Sequence, residues 1–257
     1  MRIKSYLVKN IFAVSLFILL GNGILFYGCS SSDSPIESST GPSNNSGTVF
    51  ETPLEFDAGE NPVSIVYGDF NGDNESDLVV ASSRKQDGIS TSADGSLTLL
   101  QYSSSSSSRF PFVSSTITPT TEAWRQDMVS FDYSGDNNND LIVTETDEDE
   151  IKFLLNDGSA SFSDNGSIKV GDVPLSIISG DWNGDNETDL AVVNRDDSSV
   201  SILQNSSGVF SLSQTLSVDE RPIRAASGDW DADSDIDLAV LLRDSTKIQI
   251  WVNSGTG

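Results

Sequence analysis

The part of the chain after residue 48 is built from short apolar runs that are separated by polar turns. Residues 175–218 contain the runs LSIISGDW, DLAVVN, SVSILQN and VFSLSQTLSV, which are rich in β-branched residues and bounded by Gly, Asn, Asp or Ser. Such runs are typical of β-strands, and no stretch after residue 30 shows sustained helical periodicity. The pattern therefore predicts an all-β protein with four strands in each unit of about fifty residues, as in the blades of a β-propeller.

The unit occurs four times. DFNGDNESDLVV at 69–80, DYSGDNNNDLIV at 132–143, DWNGDNETDLAV at 181–192 and DWDADSDIDLAV at 229–240 align without gaps. The flanks agree as well, because a proline stands seven residues before the first Asp in three units and an asparagine stands sixteen residues after the last Asp in three units. These flanking residues are Pro62, Pro174 and Pro222, with Arg125 in the second unit, and Asn156, Asn205 and Asn253. The repeat predicts four blades.

Two architectures fit these four units. Residues 45–56 resemble the outer strand at 205–218, so the N-terminal strand is expected to complete the last unit and to close a ring of four blades, which removes its exposed edges. The alternative is a fragment of a seven-bladed propeller, because the sequence ends at Gly257, close to a unit boundary.

Each repeat contains a nine-residue loop with oxygen donors in the side chains of positions 1, 3, 5 and 9. Alternating donors on a tightly wound loop converge on one point, and a backbone carbonyl at position 7 can add another. Five or more hard oxygen ligands favour calcium over magnesium, so the sequence predicts up to four structural Ca²⁺ ions. The ligand residues are Asp69, Asn71, Asp73, Glu75 and Asp77; Asp132, Ser134, Asp136, Asn138 and Asp140; Asp181, Asn183, Asp185, Glu187 and Asp189; and Asp229, Asp231, Asp233, Asp235 and Asp237.

Other residues of the loop separate it from similar motifs. An EF-hand needs a bidentate Glu at position 12, where these loops have valine in the strand that follows. Position 6 is predicted to adopt a positive φ, which the three asparagines there tolerate and which Ser234 tolerates less well. The aromatic residue at position 2 is expected to pack between blades, with a ligand platform as the alternative, and the leucine at position 10 is expected to point into the core.

The motif D-x-N-G-D-x-x-x-D-L-x-V between strands resembles the FG-GAP/VCBS repeats of integrin α-subunit propellers and bacterial surface proteins. The resemblance covers residues 45–257. It implies calcium in the hairpin between the first and second strands of each blade. The second loop departs from the pattern at Ser134, and the fourth departs at Ala232 and Ser234. The resemblance also implies that partners bind the opposite face of the ring.

The N-terminus resembles that of a bacterial lipoprotein. Residues 1–28 combine a basic start with an apolar run, and the chain's single cysteine, Cys29, follows at the position that is lipidated. Residues 29–48 are rich in Ser, Gly and Pro and are predicted to be a tether, with the propeller at 49–257. We therefore expect an exported lipoprotein of the outer membrane or cell surface. An uncleaved membrane anchor is the alternative.

Charge and residue types narrow the functions. Without residues 1–28 the chain has 11 basic and 39 acidic residues, a formal charge of −28, which argues against a nucleic-acid partner. The chain has no histidine and its one cysteine is assigned to lipid, so catalysis is not expected. We predict a binding or adhesion module for a protein or a glycan. The alternatives are a carbohydrate-active enzyme on a propeller scaffold and a structural spacer in the envelope.

Three features on the expected partner-binding face are candidates for recognition. Residues 84–95 lengthen the first of its hairpins, residues 145–150 (ETDEDE) form an acidic tip, and Trp124–Arg125 is an aromatic–basic pair on a link between blades. A solvated turn is the simpler interpretation of the acidic tip.

Overall fold

The computed structural model describes residues 18–20, 23–25, 53–83, 95–103, 112–117, 125–243 and 245–255. The chain divides into two units, Met1–Glu55 and Phe56–Gly257. In the first unit, β1 (Ile18–Leu20) pairs antiparallel with β2 (Gly23–Leu25). Nothing helical within the described ranges is long and apolar enough to cross a membrane. Cys29, the tether at 29–48, Trp124 and most of the long hairpin at 84–95 lie outside the described residues.

The second unit consists of four antiparallel sheets, each formed by strands that are consecutive in the chain. We number these sheets as blades 1 to 4. Blade 1 contains β3 (Pro62–Gly68), β4 (Asp77–Ser82), β5 (Leu97–Tyr102) and β6 (Phe112–Thr116); blade 2 contains β7 (Met128–Phe131), β8 (Asp140–Glu145), β9 (Glu150–Asn156) and β10 (Phe162–Lys169); blade 3 contains β11 (Pro174–Gly180), β12 (Asp189–Asn194), β13 (Ser199–Ser206) and β14 (Val209–Ser217); blade 4 contains β15 (Pro222–Gly228), β16 (Asp237–Leu242) and β17 (Ile248–Trp251). The prediction of an all-β propeller with four repeat units is confirmed.

The second and third strands of a blade carry most of the core because neighbouring blades cover both of their faces. β12 is buried along its whole length, whereas most of β14, at the outer edge, is exposed. This explains why β12, with the sequence DLAVVN, has apolar residues at successive positions, whereas apolar and polar residues alternate in VFSLSQTLSV, which contains β14. Three hydrophobic clusters fill the junctions between blades 1 and 2, 2 and 3, and 3 and 4.

Four equivalent residues, one from each blade, meet at the centre of the ring. Each is the third residue of its repeat unit, counted from Pro62, Arg125, Pro174 or Pro222. The carboxylate of Asp127 in blade 2 accepts hydrogen bonds from Ser64 Oγ of blade 1 at 2.8 Å and Ser176 Oγ of blade 3 at 3.1 Å. It also pairs with Arg224 Nη1 of blade 4 at 2.7 Å. One carboxylate can reach both adjacent blades and the opposite blade only in a small ring, so the blades form a four-bladed propeller and not an arc of a seven-bladed one.

Blade 4 differs from the others at its outer side. Within the described residues it has three strands, and Ile248 and Ile250 on β17 are 56% and 51% exposed. The equivalent residues of blade 3, Val200 and Ile202, are buried. The strand expected at 45–56 to cover this edge lies mostly outside the described residues, and residues 53–56 are not in a strand. Closure by this strand therefore stays a prediction.

The expectation that Arg125 takes part in recognition on the partner-binding face is wrong. Its side chain is buried, where it donates to the Gly95 carbonyl and forms an ion pair of 3.0 Å with Glu145. Glu145 is buried too, so the acidic tip begins only at Asp147. Arg125 occupies the position that proline has in the other units, and it links the start of blade 2 to blade 1.

Candidate metal centre

The four acidic loops connect the first two strands of their blades, β3–β4, β7–β8, β11–β12 and β15–β16. The first three loops also lie beside the turn between the third and fourth strands of the next blade, or its equivalent in blade 4. Ala160 N donates to the Phe70 carbonyl at 2.7 Å, and Asn253 Nδ2 donates to the Trp182 carbonyl at 2.8 Å. The loops therefore share one face of the ring, and the hairpins between second and third strands share the opposite face.

The aspartate at position 1 winds the loop around its own carboxylate. In the first loop, Asp69 Oδ1 accepts hydrogen bonds from Gly72 N at 2.7 Å and Asp73 N at 3.2 Å, and Oδ2 accepts one from Asn74 N at 2.8 Å. The other three position 1 residues, Asp132, Asp181 and Asp229, accept the corresponding bonds from positions 4 and 6 at 2.7–3.1 Å. Because this one side chain satisfies several backbone N–H groups, each of the four loops is tightly wound.

The aspartate at position 9 ties the loop to its sheet. Asp189 Oδ2 accepts a hydrogen bond from Trp182 N at 3.2 Å, and Oδ1 accepts one from Asn205 N on the third strand at 2.8 Å. Asp77, Asp140 and Asp237 accept the same third-strand bond, at 2.8–2.9 Å. All four of these side chains are buried. Burial raises the pKa of the Asp77, Asp140 and Asp189 carboxyls, and nearby loop carboxylates raise it further.

Position 5 binds the backbone of position 7. Asp185 Oδ1 accepts a hydrogen bond from Glu187 N at 2.8 Å, and the equivalent bonds in the other loops are 2.8–2.9 Å long. The Glu187 carboxylate itself accepts hydrogen bonds from the backbone and the hydroxyl of Ser207. Its side chain is thus engaged outside the loop, which leaves the backbone carbonyl as the donor that position 7 would contribute.

The backbone of the loop is left-handed at two positions. Position 6 has φ of 64° at Asn74, 70° at Asn137, 68° at Asn186 and 80° at Ser234. The prediction of a positive φ there is confirmed in all four loops. Position 4 is also left-handed, where the first three loops have glycine and the fourth has Ala232 at 65°. In the fourth loop, Ala232 and Ser234 adopt the same left-handed conformation, which is strained for residues other than glycine and asparagine.

Among the described residues, three carboxylates come together in the fourth loop and not in the other three. Asp229, Asp231 and Asp237 each place one carboxylate oxygen within 4.8 Å of the others. Desolvation and the neighbouring Asp233 carboxylate raise the pKa of Asp231. Three mutually repelling carboxylates around one point fit a divalent cation with oxygen ligands. The other loops have Asn71, Ser134 and Asn183 at position 3 in place of a carboxylate, and the second loop also has Asn138 at position 7.

The position 2 aromatics pack between blades as predicted, with one exception. Phe70 and Tyr133 are buried and contact Phe162 and Phe210 of the next blade, with ring centroids 5.9 Å and 6.2 Å apart. Trp230 is 49% exposed, on the side of blade 4 that no cluster covers. At position 10, Leu141, Leu190 and Leu238 are buried, as predicted, and Leu78 is half-buried.

The repeat asparagines acquire a role that spacing alone did not indicate. Asn156 is fully buried, and its Nδ2 donates to the carbonyls of Phe70 and Asn139, both at 3.0 Å. Asn253 makes the equivalent bond to Trp182. These two side chains thus fasten the first and third loops to the next blade. The fixed spacing of the asparagines from the last Asp marks the positions in the sequence but not what the side chains do there. The residues around Asp127 gave no such signal, because the four equivalent positions carry two serines, an aspartate and an arginine.

Comparison with known proteins supports the repeats. Residues 132–192 and 181–240 each match the family model of the FG-GAP-like repeat. No curated protein matches the chain. The crystal structure of a functionally unknown protein from Desulfotomaculum acetoxidans DSM 771 is similar to 70% of this chain at 15% identity, with a TM-score of 0.48. The chain spans 49%, about half, of the length of that protein.

Proposed function

We propose that this protein of FG-GAP-like repeats is a calcium-stabilised propeller that is held at a bacterial surface by a lipid anchor and binds a protein or a glycan. The calcium proposal is supported above all by the convergence of Asp229, Asp231 and Asp237 within 4.8 Å. Bound at positions 1, 3, 5 and 9 and at the position 7 carbonyl, the cation would neutralise carboxylates that otherwise repel one another. Calcium then stabilises the fold and takes no part in recognition.

Thermal unfolding of the full chain in detergent tests the metal. We expect millimolar Ca²⁺ to raise the melting temperature and excess chelator to lower it, because the cation binds the folded loops more tightly than the unfolded chain. Terbium gives a direct readout of site occupancy, since Trp182 and Trp230 adjoin the first ligands of two loops. A melting temperature that is the same in calcium and in chelator would refute the metal assignment.

The proposed location follows from the N-terminal sequence. Labelling of Cys29 by a radioactive fatty acid in a bacterial host, lost in Cys29→Ser, is the expected result for a lipoprotein. An unlabelled chain that retains residues 1–28 would instead indicate an uncleaved anchor.

The binding role is supported by the division of the ring into two faces. The acidic loops occupy one face, which leaves the face of the hairpins between second and third strands for a partner. A chain without histidine lacks the most common general base, which favours binding over catalysis. Specific retention of a ligand without turnover is the expected result on a panel of glycans and surface proteins. Turnover of any member would favour the enzyme alternative.

A further inference from the structure

A groove of about 200 Å³ opens in blade 1 at the end that is opposite to its acidic loop. It runs between β5, β6 and the segment just before β3. Five hydroxyl side chains and one carboxylate line it, those of Ser96, Thr98, Ser114, Ser115, Thr116 and Asp57. It therefore lies on the face that the proposed function leaves for a partner.

The same space is filled in blade 3. There the Asn194 side chain lies against Gly171 and donates from Nδ2 to Ser199 Oγ at 3.0 Å and to Ser201 Oγ at 2.9 Å. Asn194 is fully buried, and both serines are buried with it. In this blade the amide of Asn194 therefore occupies the space and donates to both hydroxyls.

Blade 1 has a shorter side chain at that position. Ser82 replaces the asparagine, and its hydroxyl donates to the Ala58 carbonyl at 2.9 Å. Ser96 and Thr98, the equivalents of the two serines, are therefore left without an amide partner. Gly59, with φ of 83°, keeps the space open, because a Cβ on it would lie 2.8 Å from Ser82 Oγ and 3.1 Å from Ser96 Oγ.

The hydroxyls of the groove are uncommitted. Over the residues that the structure describes, the side chains of Ser96, Thr98, Ser114, Ser115 and Thr116 make no hydrogen bond to protein. Each hydroxyl can donate one hydrogen bond and accept two. The Asp57 carboxylate accepts one from Gly59 N at 3.1 Å and retains further acceptor capacity. The lining thus offers both donors and acceptors at close spacing, which suits a ligand that carries several hydroxyl groups.

We infer that this groove binds a neutral sugar residue, whose vicinal hydroxyls bond to the Asp57 carboxylate and to the serine and threonine hydroxyls of the lining. The volume accommodates one sugar unit and is below the range for larger ligands. An acidic sugar is disfavoured because Asp57 is the only charged group of the lining and the whole chain has a formal charge of −25. The inference rests on the proposed binding role and names its ligand class.

Ligand-detected NMR and equilibrium titration of the full chain in detergent test this inference, with glucose, galactose, mannose and N-acetylglucosamine as probes and glucuronic acid as the acidic comparison. Ser82→Asn installs the side chain that fills the groove in blade 3 and is expected to weaken binding at least tenfold. Thr116→Val removes one hydroxyl and is expected to weaken it severalfold. Thr215→Val is the matched control, because Thr215 pairs with Ser201 as Thr116 pairs with Thr98.

The outcomes are distinct. The inference is supported if a neutral sugar binds saturably, if Ser82→Asn weakens that binding, and if Thr215→Val leaves it unchanged. No binding to wild type, equal binding to all three variants, or preferred binding of glucuronic acid overturns it. The melting temperature in calcium is measured for each variant, so that loss of the fold is not mistaken for loss of the site. If calcium stabilises the chain and no sugar binds, this inference fails while the calcium part of the proposed function stands.

Discussion

Arg224 and Asp127 are 97 residues apart in the chain and form an ion pair of 2.7 Å across the centre of the ring. The two partners are unequally buried, since the Asp127 side chain is 11% exposed and the Arg224 side chain is 49% exposed. The carboxylate also accepts hydrogen bonds from Ser64, Ser176 and the backbone of Ile177. Asp127 is therefore the residue that joins all four blades, and Arg224 is one of its partners.

Substitutions of the two partners are expected to lower the free energy of unfolding by unequal amounts. Asp127→Ala leaves the half-buried Ser64 and the buried Ser176 of two other blades without their acceptor, and we expect a loss of about 3 kcal/mol in the free energy of unfolding. Arg224→Ala removes a half-exposed cation that solvent screens, with an expected cost below about 1 kcal/mol. Chemical denaturation at fixed calcium measures both. Equal costs for the two variants would contradict the central role of Asp127.

The metal loops provide a second comparison. Asp185→Ala removes a predicted calcium ligand and the acceptor for Glu187 N, so it should lower the melting temperature more than Glu148→Ala in the exposed acidic tip. The difference in melting temperature between the two variants should shrink in chelator, because neither variant then binds the metal. Thermal scans with and without calcium measure it. A difference that is independent of calcium would mean that Asp185 acts only through its hydrogen bonds.

The fourth loop can be stabilised. Ala232 and Ser234 have φ of 65° and 80°, where the third loop has glycine and asparagine. Ala232→Gly and Ser234→Asn should each raise the free energy of unfolding by about 0.5–1 kcal/mol, because they relieve left-handed strain. The reverse change Asn186→Ser in the third loop serves as the control and should lower it. No gain in either fourth-loop variant would show that the strain is relieved elsewhere.

Asn156 couples two blades through its amide. Asn156→Ala removes two buried hydrogen bonds, to the carbonyls of Phe70 and Asn139, and we expect a cost of about 2 kcal/mol. Asn165→Ala is the control, because that exposed residue donates only to Tyr133 Oη, at 3.1 Å. Urea unfolding compares the two variants. A smaller effect at Asn156 than at Asn165 would argue against its role in joining the blades.

An ion pair on blade 2 predicts a pH dependence. Lys152 Nζ lies 2.8 Å from Asp164 Oδ2, and this hydrogen bond lowers the pKa of Asp164. A depressed carboxyl pKa adds stability above the unfolded value near 4, and the addition is lost as pH falls through the folded pKa. Because Asp164 is 46% exposed, we expect less than about 1 kcal/mol. The stability difference between wild type and Asp164→Asn, measured from pH 7 to pH 2, should vanish at the acid end. A constant difference would contradict the pair.

The sequence by itself determined the local features of this protein. The loops, the strands that flank them, the positive φ at position 6 and the buried leucine at position 10 all depend on neighbours within one unit of about fifty residues. Spacing and side-chain type express such features directly, and four aligned copies made each of them visible. The same reasoning selected the residues that are proposed to bind calcium, because those residues lie within nine positions of one another.

Only the tertiary structure decided which units meet and what lies between them. The contact of Asp127 with Arg224 depends on the number of blades around the axis, and no local pattern encodes that number. The burial of Arg125 beside Glu145 depends on packing between blades, which the sequence around Trp124–Arg125 does not express. The groove beside Ser82 arose from a missing amide that only comparison with the packed Asn194 revealed. Long-range packing produces these features, and it is set by the shape of the whole ring.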